Sequence, residues 1–225
     1  MDKTPVVTID GPSGAGKGTL AAMVAEALGW HLLDSGALYR IIGVTAQSRG
    51  IDLVADNESK IADLARSLKI KFVAGETRVD GVDITDQIRT EEGGEAASKV
   101  AAMPEVRQSV FDMQRGFAQP PGLVADGRDM GTVVFVDAEL KIFLDASAEE
   151  RAERRYKQLK NKGLSVSLPA LLVQIQERDA RDRGRTVAPL KPAEDALVID
   201  STSMTIEAVF DQVMVWVEAR HLARN

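Results

Sequence analysis

The chain has 225 residues, a formal net charge of −6 and no cysteine. A chain of this length buries roughly 70% of its unfolded surface, so we expect one domain or one domain with insertions. The acidic balance argues against a nucleic-acid polymer or an anionic membrane as the main partner, and the lack of cysteine excludes disulfides and thiolate metal sites. With no signal-peptide pattern and no apolar run long enough to span a bilayer, we expect a cytoplasmic protein.

The first informative stretch is a short apolar run, 6–9, followed by a glycine-rich turn and a helical pattern from Leu20. The turn consists of Gly11, Pro12, Ser13, Gly14, Ala15, Gly16, Lys17, Gly18 and Thr19. It matches the phosphate-loop pattern G-x-x-x-x-G-K in its usual strand–turn–helix context. Backbone N–H groups and the helix dipole would hold anionic oxygens, and the lysine adds a full charge. We therefore predict that these nine residues bind the polyphosphate of a nucleotide.

One position departs from the usual pattern. Gly18 follows the lysine where Ser or Thr would ligate Mg²⁺, and Thr19 comes next. We expect Thr19 to be the metal contact, either directly or through water.

Alternating strand and helix patterns follow along the chain. After a strand at 31–33, Ser35 is predicted to be the N-cap of a helix over 36–49. The remaining helices are predicted over 58–68, 91–102, 104–118, 147–161, 167–183 and 206–223, and the remaining core strands over 123–126, 140–144 and 196–199. This order predicts an α/β fold, with a doubly wound parallel sheet flanked by helices and ligands beyond the carboxyl ends of its strands.

A short stretch interrupts this alternation. Three β-like runs lie at 70–74, 77–79 and 82–84, and Asp80-Gly81 between two valines is a strong hairpin signal. We predict a small antiparallel insert.

Four further clusters carry chemistry. They are Asp34-Ser35-Gly36-Ala37-Leu38-Tyr39-Arg40, the 98–107 region, Gly127-Arg128-Asp129-Met130-Gly131 and the charged run 177–185. Together with the phosphate loop they resemble the bacterial cytidylate kinases, a family of P-loop nucleoside-monophosphate kinases, over essentially the whole chain. The resemblance implies that ATP phosphorylates CMP or dCMP. It also implies a P-loop kinase core (about 1–56, 104–150 and 186–225), an insert on the monophosphate side (about 57–103) and a helical lid (about 151–185). We expect a monomer that binds small nucleotides.

The chemistry is consistent with that resemblance. Neither histidine suggests a Ser-His or Asp-His pair, and a nucleoside monophosphate needs no base because its phosphate is already ionised near pH 7. The obstacle is repulsion, since two unit charges about 4 Å apart repel by roughly 4 kcal/mol at an effective dielectric constant of about 20. Convergent arginines and Mg²⁺ reduce that repulsion.

Arginines occur where such ligands are expected. Arg40 lies on the helix predicted after Ser35, and Arg128 follows a buried strand. On spacing alone, the run with Arg178, Asp182 and Arg185 favours a solvated face of weak ion pairs. The resemblance implies instead that the four arginines bind phosphate and sugar groups and that Asp182 binds the ribose hydroxyls. For catalysis it points to Lys17, Arg128, Arg185 and Arg155.

Base recognition falls to other residues. A carboxylate can accept a hydrogen bond from the exocyclic amine of cytosine. Uracil has a carbonyl at that position, which cannot donate a hydrogen bond to the carboxylate. By resemblance Asp129, Arg107 and Ser98 read the base, and Ser35 and Tyr39 complete the substrate site. Asp129 is alternatively a Mg²⁺ ligand or a helix cap, and Ser98 and Tyr39 are alternatively packing residues.

Two further alternatives concern function. Arg151 and Arg155, four residues apart on a basic helix, resemble lid arginines that close over ATP, but a charge run is more often a solvated face. The acceptor could also be UMP, AMP or shikimate. A guanine-binding switch is disfavoured because Asn161-Lys162-Gly163-Leu164 lacks the aspartate of the Asn-Lys-x-Asp motif.

Overall fold

A computed structural model describes residues 3–73 and 76–222. These residues form two compact units, one made of 3–33 and 117–222 and the other of 34–73 and 76–116. Within the described ranges, no helix combines the length and apolar character that crossing a bilayer demands.

The elements alternate as the sequence predicts, with ends that differ by a few residues. The strands are β1 Val6–Asp10, β2 His31–Asp34, β3 Ile70–Val73, β4 Glu76–Val79, β5 Val82–Asp83, β6 Leu123–Gly127, β7 Leu140–Asp145 and β8 Leu197–Asp200. The helices are α1 Lys17–Leu28, α2 Ser35–Ser48, α3 Glu58–Ser67, α4 Thr85–Ile88, α5 Glu91–Val100, α6 Pro104–Gly116, α7 Ala148–Asn161, α8 Leu168–Arg183 and α9 Ile206–Ala219. A 3₁₀ turn at Ala55–Asn57 and a wide π-helical turn at Met130–Val134 complete them.

The five-stranded sheet has the order β2-β6-β1-β7-β8. The central strand β1 pairs in parallel with β6 and β7, and β8 pairs in parallel with β7. Every residue of β1 is buried, as expected for a strand covered by helices on both faces. This architecture confirms the predicted α/β fold with a mostly parallel sheet. Because Asp10 aligns with Gly127, the turns that follow β1 and β6 begin at the same edge of the sheet.

The turn after β1 requires glycine where it begins. Gly11 has a φ of 150°, and a Cβ there would lie 2.0 Å from the carbonyl oxygen of Leu144. Helix α1 then runs to Leu28 and ends at Gly29, which has a φ of 63° and whose N–H reaches the carbonyls of Ala25 and Glu26. A left-handed glycine of this kind is a common helix terminator.

The smaller sheet, β3-β4-β5, lies in the second unit and is antiparallel. Its β4–β5 turn confirms the predicted hairpin: Asp80 and Gly81 both have positive φ, 52° and 88°. Two positive φ values in a two-residue turn match the twist of the flanking strands.

Two predicted helix ends are wrong. The N-cap of α2 is Asp34, whose Oδ1 accepts a hydrogen bond from the Ala37 N–H at 2.9 Å, and Ser35 is already helical. The carboxylate one residue earlier has the reach to cap the third helical N–H, which releases the serine hydroxyl for another contact. Helix α9 ends at Ala219 rather than at 223, and Ala223 lies outside the described residues.

The second unit has its own apolar core, built from α2, α3, α5 and α6 with Ile41, Ile61, Val100 and Val106 fully buried. Helices α2 and α5 approach closely at Gly43. A Cβ at Gly43 would lie 2.8 Å from the Cβ of Ala96 and 2.9 Å from its carbonyl carbon.

We expect Gly43→Ala to destabilise this unit, because the added methyl group meets backbone that cannot turn away. Overpacking of this kind costs about 1–3 kcal/mol, measurable by urea unfolding. Gly116→Ala is the matched control, since a Cβ there meets nothing within 4 Å. A Gly43→Ala protein as stable as the control would contradict the close helix contact.

Candidate functional site

Lys17 is the first residue of α1 and is buried beneath the phosphate loop. Its Nζ donates to the carbonyl oxygen of Pro12 at 2.9 Å and lies 3.8 Å from Oδ1 of Asp126. Burial, together with the charges of Arg128 and Arg178, lowers the pKa of Lys17 to about 8, against the opposing charges of Asp126 and Asp10. Two arginines and two aspartates therefore act on this buried lysine.

Asp126 was not identified from the sequence. It lies near the end of β6, beside β1, and its Oδ2 would be 3.3 Å from a Cβ placed at Gly18. Its carboxylate thus lies next to the position where phosphate loops usually carry a hydroxyl. The signal that could have found it is an acidic residue at the carboxyl end of a strand next to the phosphate-loop strand.

Carbonyl groups of the phosphate loop are held by cationic side chains. Pro12 is held by Lys17, Ser13 accepts from Nη1 of Arg151 at 3.0 Å, and Ala15 accepts from Nη1 of Arg154 at 3.5 Å. Both arginines lie on α7. These contacts fix the orientation of the peptide groups in the loop before any ligand binds.

Of these two arginines, Arg151 is the more deeply buried and contacts more elements of the structure. It is 2% exposed, forms a bidentate pair with Asp179 of α8, and donates from Nε to the Ala146 carbonyl at 2.9 Å. Arg151 therefore joins α7, α8 and the phosphate loop, a role that the predicted lid position did not anticipate. Arg155 is only partly buried and donates from Nη1 to Oε1 of Gln158 on its own helix.

Three of the four predicted phosphate-side arginines lie around Asp182. Arg128 donates from Nε to Oδ2 of Asp182 at 3.0 Å, Arg185 donates to Oδ1, and the charge of Arg178 also acts on this carboxylate. Burial favours the neutral acid, but the three guanidinium groups hold the pKa of Asp182 below its ordinary value. Because the side chains of Asp182 and Arg185 are 2% and 5% exposed, the solvated face expected from spacing alone is wrong here.

The segment after β6 is tied to β1. Asp10 accepts hydrogen bonds from the N–H groups of Met130 and Gly131, both at 2.8 Å. Asp129 is 2% exposed, and its backbone carbonyl accepts from Val133 and Val134. The side chain that caps this turn is therefore that of Asp10, which sequence reasoning missed. The side chain of Asp129 does not cap it, although a helix cap was one alternative for that residue.

The remaining predicted substrate residues lie in the second unit, Asp34–Gly116. Ser35 accepts from Nε2 of Gln114 at 3.0 Å, and Arg40 donates to the carbonyls of Ile88 and Thr90 at 2.8 and 3.1 Å. Tyr39, Ser98 and Arg107 are all buried. Arg107 donates to the Tyr39 hydroxyl at 3.3 Å, with its guanidinium 5.9 Å from the ring centroid.

The five predicted substrate residues of the second unit lie on three helices. Ser35, Tyr39 and Arg40 lie on α2, Ser98 lies on α5 and Arg107 lies on α6. Gln114, which no sequence pattern singled out, fixes the serine hydroxyl.

The carboxylate of Asp10 gives a pH prediction. Burial raises its pKa from 3.8 to about 7, although the two N–H donors oppose the shift. Stability from this group is therefore complete below about pH 4 and is lost as the pH rises to about 7, by roughly 4 kcal/mol.

We expect the wild type to lose free energy of unfolding relative to Asp10→Asn between pH 4 and 7, and the difference to be constant above pH 8. Urea titrations at several pH values measure it. Asp211→Asn, an exposed change on α9, serves as the control. A difference that does not vary with pH would contradict the raised pKa.

The chain is similar to known proteins over most of its length. A family model described as "Cytidylate kinase" matches residues 7–219. Curated relatives named "Cytidylate kinase" include one from Aeromonas salmonicida (strain A449), 59% identical over 95% of this chain and 94% of that protein. Another, from Vibrio cholerae serotype O1, is 57% identical over 96% of this chain and 97% of that protein. A solved shikimate kinase from Acinetobacter baumannii is 15% identical, with a TM-score of 0.47 over 96% of this chain and 94% of that chain.

Proposed function

Because the chain belongs to the cytidylate kinase family, we propose that it transfers the γ-phosphoryl group of ATP to CMP or dCMP. The products are ADP and CDP or dCDP. The structural observation that carries the proposal is the cluster of Arg128, Arg178 and Arg185 around buried Asp182, in the same unit as the phosphate loop and Lys17.

The proposed mechanism works by cancelling charge. The loop from Gly11 to Thr19 binds the ATP phosphates through its backbone. The positive charge of Lys17 stabilises the negative charge on the phosphoryl group during transfer. Arg128 and Arg178 already act electrostatically on Lys17, so these cations are close enough to act on phosphates bound beside it. The acceptor phosphate is ionised near pH 7 and attacks without a general base, whereas bidentate guanidinium contacts lower the repulsion between the two anions.

Mg²⁺ fits the oxygen donors beside the loop. Thr19 is exposed on α1, and the Asp126 carboxylate lies next to Gly18. Within the described ranges no three acidic, histidine or cysteine side chains form a metal cage, which suits an ion that keeps several waters and binds mainly through substrate phosphates. When bound, the ion supplies further neutralisation of phosphate charge. We propose that Thr19 and Asp126 hold it directly or through water.

The second unit and the 127–131 segment supply the acceptor contacts in this proposal. Arg40, Arg128, Arg178 and Arg185 bind the phosphate and sugar groups, and Asp182 binds the ribose hydroxyls. Asp129 accepts a hydrogen bond from the exocyclic amine of cytosine. The remaining base and substrate contacts are Ser35, Tyr39, Ser98 and Arg107. Arg155 is proposed as a lid arginine that reaches ATP when water is excluded from the site. The monomeric state and the cytoplasmic location remain predictions.

The function is tested by a coupled assay of ADP release with CMP, dCMP, UMP, AMP and shikimate as acceptors. We expect CMP and dCMP to give the highest kcat/KM. A clear preference for UMP would contradict the proposed role of the carboxylate in base recognition, and turnover of shikimate alone would contradict the acceptor class.

Lys17→Met should lower kcat about 10²- to 10³-fold, because it removes a charge that acts on the moving phosphoryl group. The fold should survive, since Met fills a similar volume and the buried charge costs stability. Steady-state kinetics with thermal unfolding measure both. Lys162→Met, on an exposed residue, is the control. Turnover near that of the wild type would place Lys17 outside the chemistry.

Asp129→Asn should reduce the preference for CMP over UMP about tenfold, because the amide can donate to the uracil carbonyl that a carboxylate repels. The measurement is the ratio of kcat/KM for the two acceptors. Asp137→Asn, an exposed carboxylate eight residues further along the chain, is the matched control. An unchanged ratio would assign Asp129 a role other than reading the base.

A further inference from the structure

Asp10 is a fully buried carboxylate that the proposed mechanism does not use. It is the last residue of β1 and is bonded directly to Gly11, where the phosphate loop begins. Its two oxygens are engaged separately: Oδ1 accepts from the Met130 N–H and Oδ2 from the Gly131 N–H, each at 2.8 Å. Both partners lie 120 residues or more further along the chain.

The two N–H groups belong to a special turn. Met130–Val134 is a π-helical turn, and its first N–H groups have no partner inside the turn itself. Asp10 caps them from another element. This turn directly follows Arg128 and Asp129, the two residues of the segment that are proposed to touch the acceptor.

The approach of the turn to Asp10 depends on glycine. A Cβ at Gly131 would lie 2.9 Å from Oγ1 of Thr8, 3.2 Å from Cδ of Lys141 and 3.4 Å from Oδ2 of Asp10. A larger residue would therefore lift the turn off β1 and lengthen the hydrogen bond from the Gly131 N–H. The chain provides both a carboxylate and a close backbone for this contact.

We propose that Asp10 is a positioning residue for phosphoryl transfer, which fixes Arg128 and Asp129 relative to the phosphate loop. The path is short: Asp10 precedes Gly11 in the chain, and its carboxylate holds the residue that follows Asp129. A displacement of about 1 Å in a reacting group can cost roughly 10²-fold in rate, so a small shift of this turn has a measurable effect. The inference rests on the proposed function.

The electrostatic surroundings support a functional reason for this carboxylate. Burial and then the negative charges of Asp129 and Asp126 raise the pKa of Asp10, and Lys17 is near enough to interact with it. The raised pKa means that a neutral side chain at this position would be accommodated at lower cost. Groups that are costly to keep charged are often retained for activity rather than for stability.

Asp10→Asn tests the proposal. The amide has nearly the same shape but a single acceptor oxygen, so its NH₂ group would face one of the two N–H donors. We expect kcat for CMP to fall at least tenfold and KM for CMP to rise. The dissociation constant for ATP, measured by calorimetry, should stay within threefold, because Gly11–Thr19 and Lys17 are unchanged. Thermal unfolding at pH 8 should show a folded protein.

Thr8→Val is the matched control. Thr8 lies two residues earlier on the same face of β1, is fully buried, and its Oγ1 has no hydrogen-bond partner among the residues that the structure describes. The change removes a polar atom beside the turn without breaking a hydrogen bond. Its kinetic constants should stay within twofold of those of the wild type.

Two more tests examine the turn and Arg128. Gly131→Ala should reproduce the loss on the CMP side, because it moves the turn and leaves the carboxylate in place. In an Arg128→Met background, Asp10→Asn should lower kcat by a clearly smaller factor than in the wild type, since only Asp129 is then left to position.

The outcomes separate clearly. Activity of Asp10→Asn within twofold of the wild type, an equal loss of ATP binding, or full multiplication of the Asp10 and Arg128 effects would overturn the positioning role. If Asp10→Asn does not fold, unaltered CMP kinetics in Gly131→Ala would overturn it. The wild type is assayed with CMP in parallel: an inactive wild type contradicts the proposed function, whereas an active wild type with unaffected variants contradicts only the role of Asp10.

Discussion

The first unit depends on one buried carboxylate that holds mutually repelling cations together. Arg128 and Arg185 share the two oxygens of Asp182, and the charge of Arg178 acts on the same group. Each pair of like charges about 4 Å apart would otherwise repel by roughly 4 kcal/mol at an effective dielectric constant of about 20. Burial is the main cause of the lowered pKa of Lys17, and the charges of Arg128 and Arg178 add to it, so part of the repulsion remains. A site with this excess of positive charge favours an anionic ligand over water.

The phosphate loop is held from outside by the helix that the sequence assigned to a lid. Arg151 and Arg154 of α7 hold the carbonyls of Ser13 and Ala15, and Asp179 of α8 fixes Arg151. Helix α8 also carries Asp182, one turn beyond Asp179. The same two helices thus support the loop and orient the arginine cluster, so the geometry of each site element depends on that of the other.

Local rules recovered most of the fold. The apolar run at 6–9, the Gly-Lys turn and the Asp80-Gly81 hairpin each have a short-range physical cause, and all three elements are present. The N-cap of α2 was missed because Asp34 and Ser35 are both good caps, and only the path of the chain selects between them.

The site residues were harder to find than the fold. The hydrogen-bond partners of Asp10 and Asp179 lie 28 to 121 residues away in the chain, and Asp126 lies opposite Ile9 on the neighbouring strand β1. No local spacing in the sequence therefore reveals the roles of these three residues. The run around Asp182 looks like a solvated face because periodicity reports which residues share a stripe and not whether that stripe is buried. Burial, which depends on the packing of α7 and α8, decides the matter.

The carboxylate beside Gly18 limits how the phosphate loop can vary. Since Oδ2 of Asp126 lies 3.3 Å from where a Cβ would be, any side chain at 18 would require this carboxylate to shift by a few tenths of an ångström. Positions 18 and 126 are therefore sterically linked, because a larger residue at 18 requires the side chain at 126 to move. A library that randomises the two positions together should return matched combinations rather than independent choices.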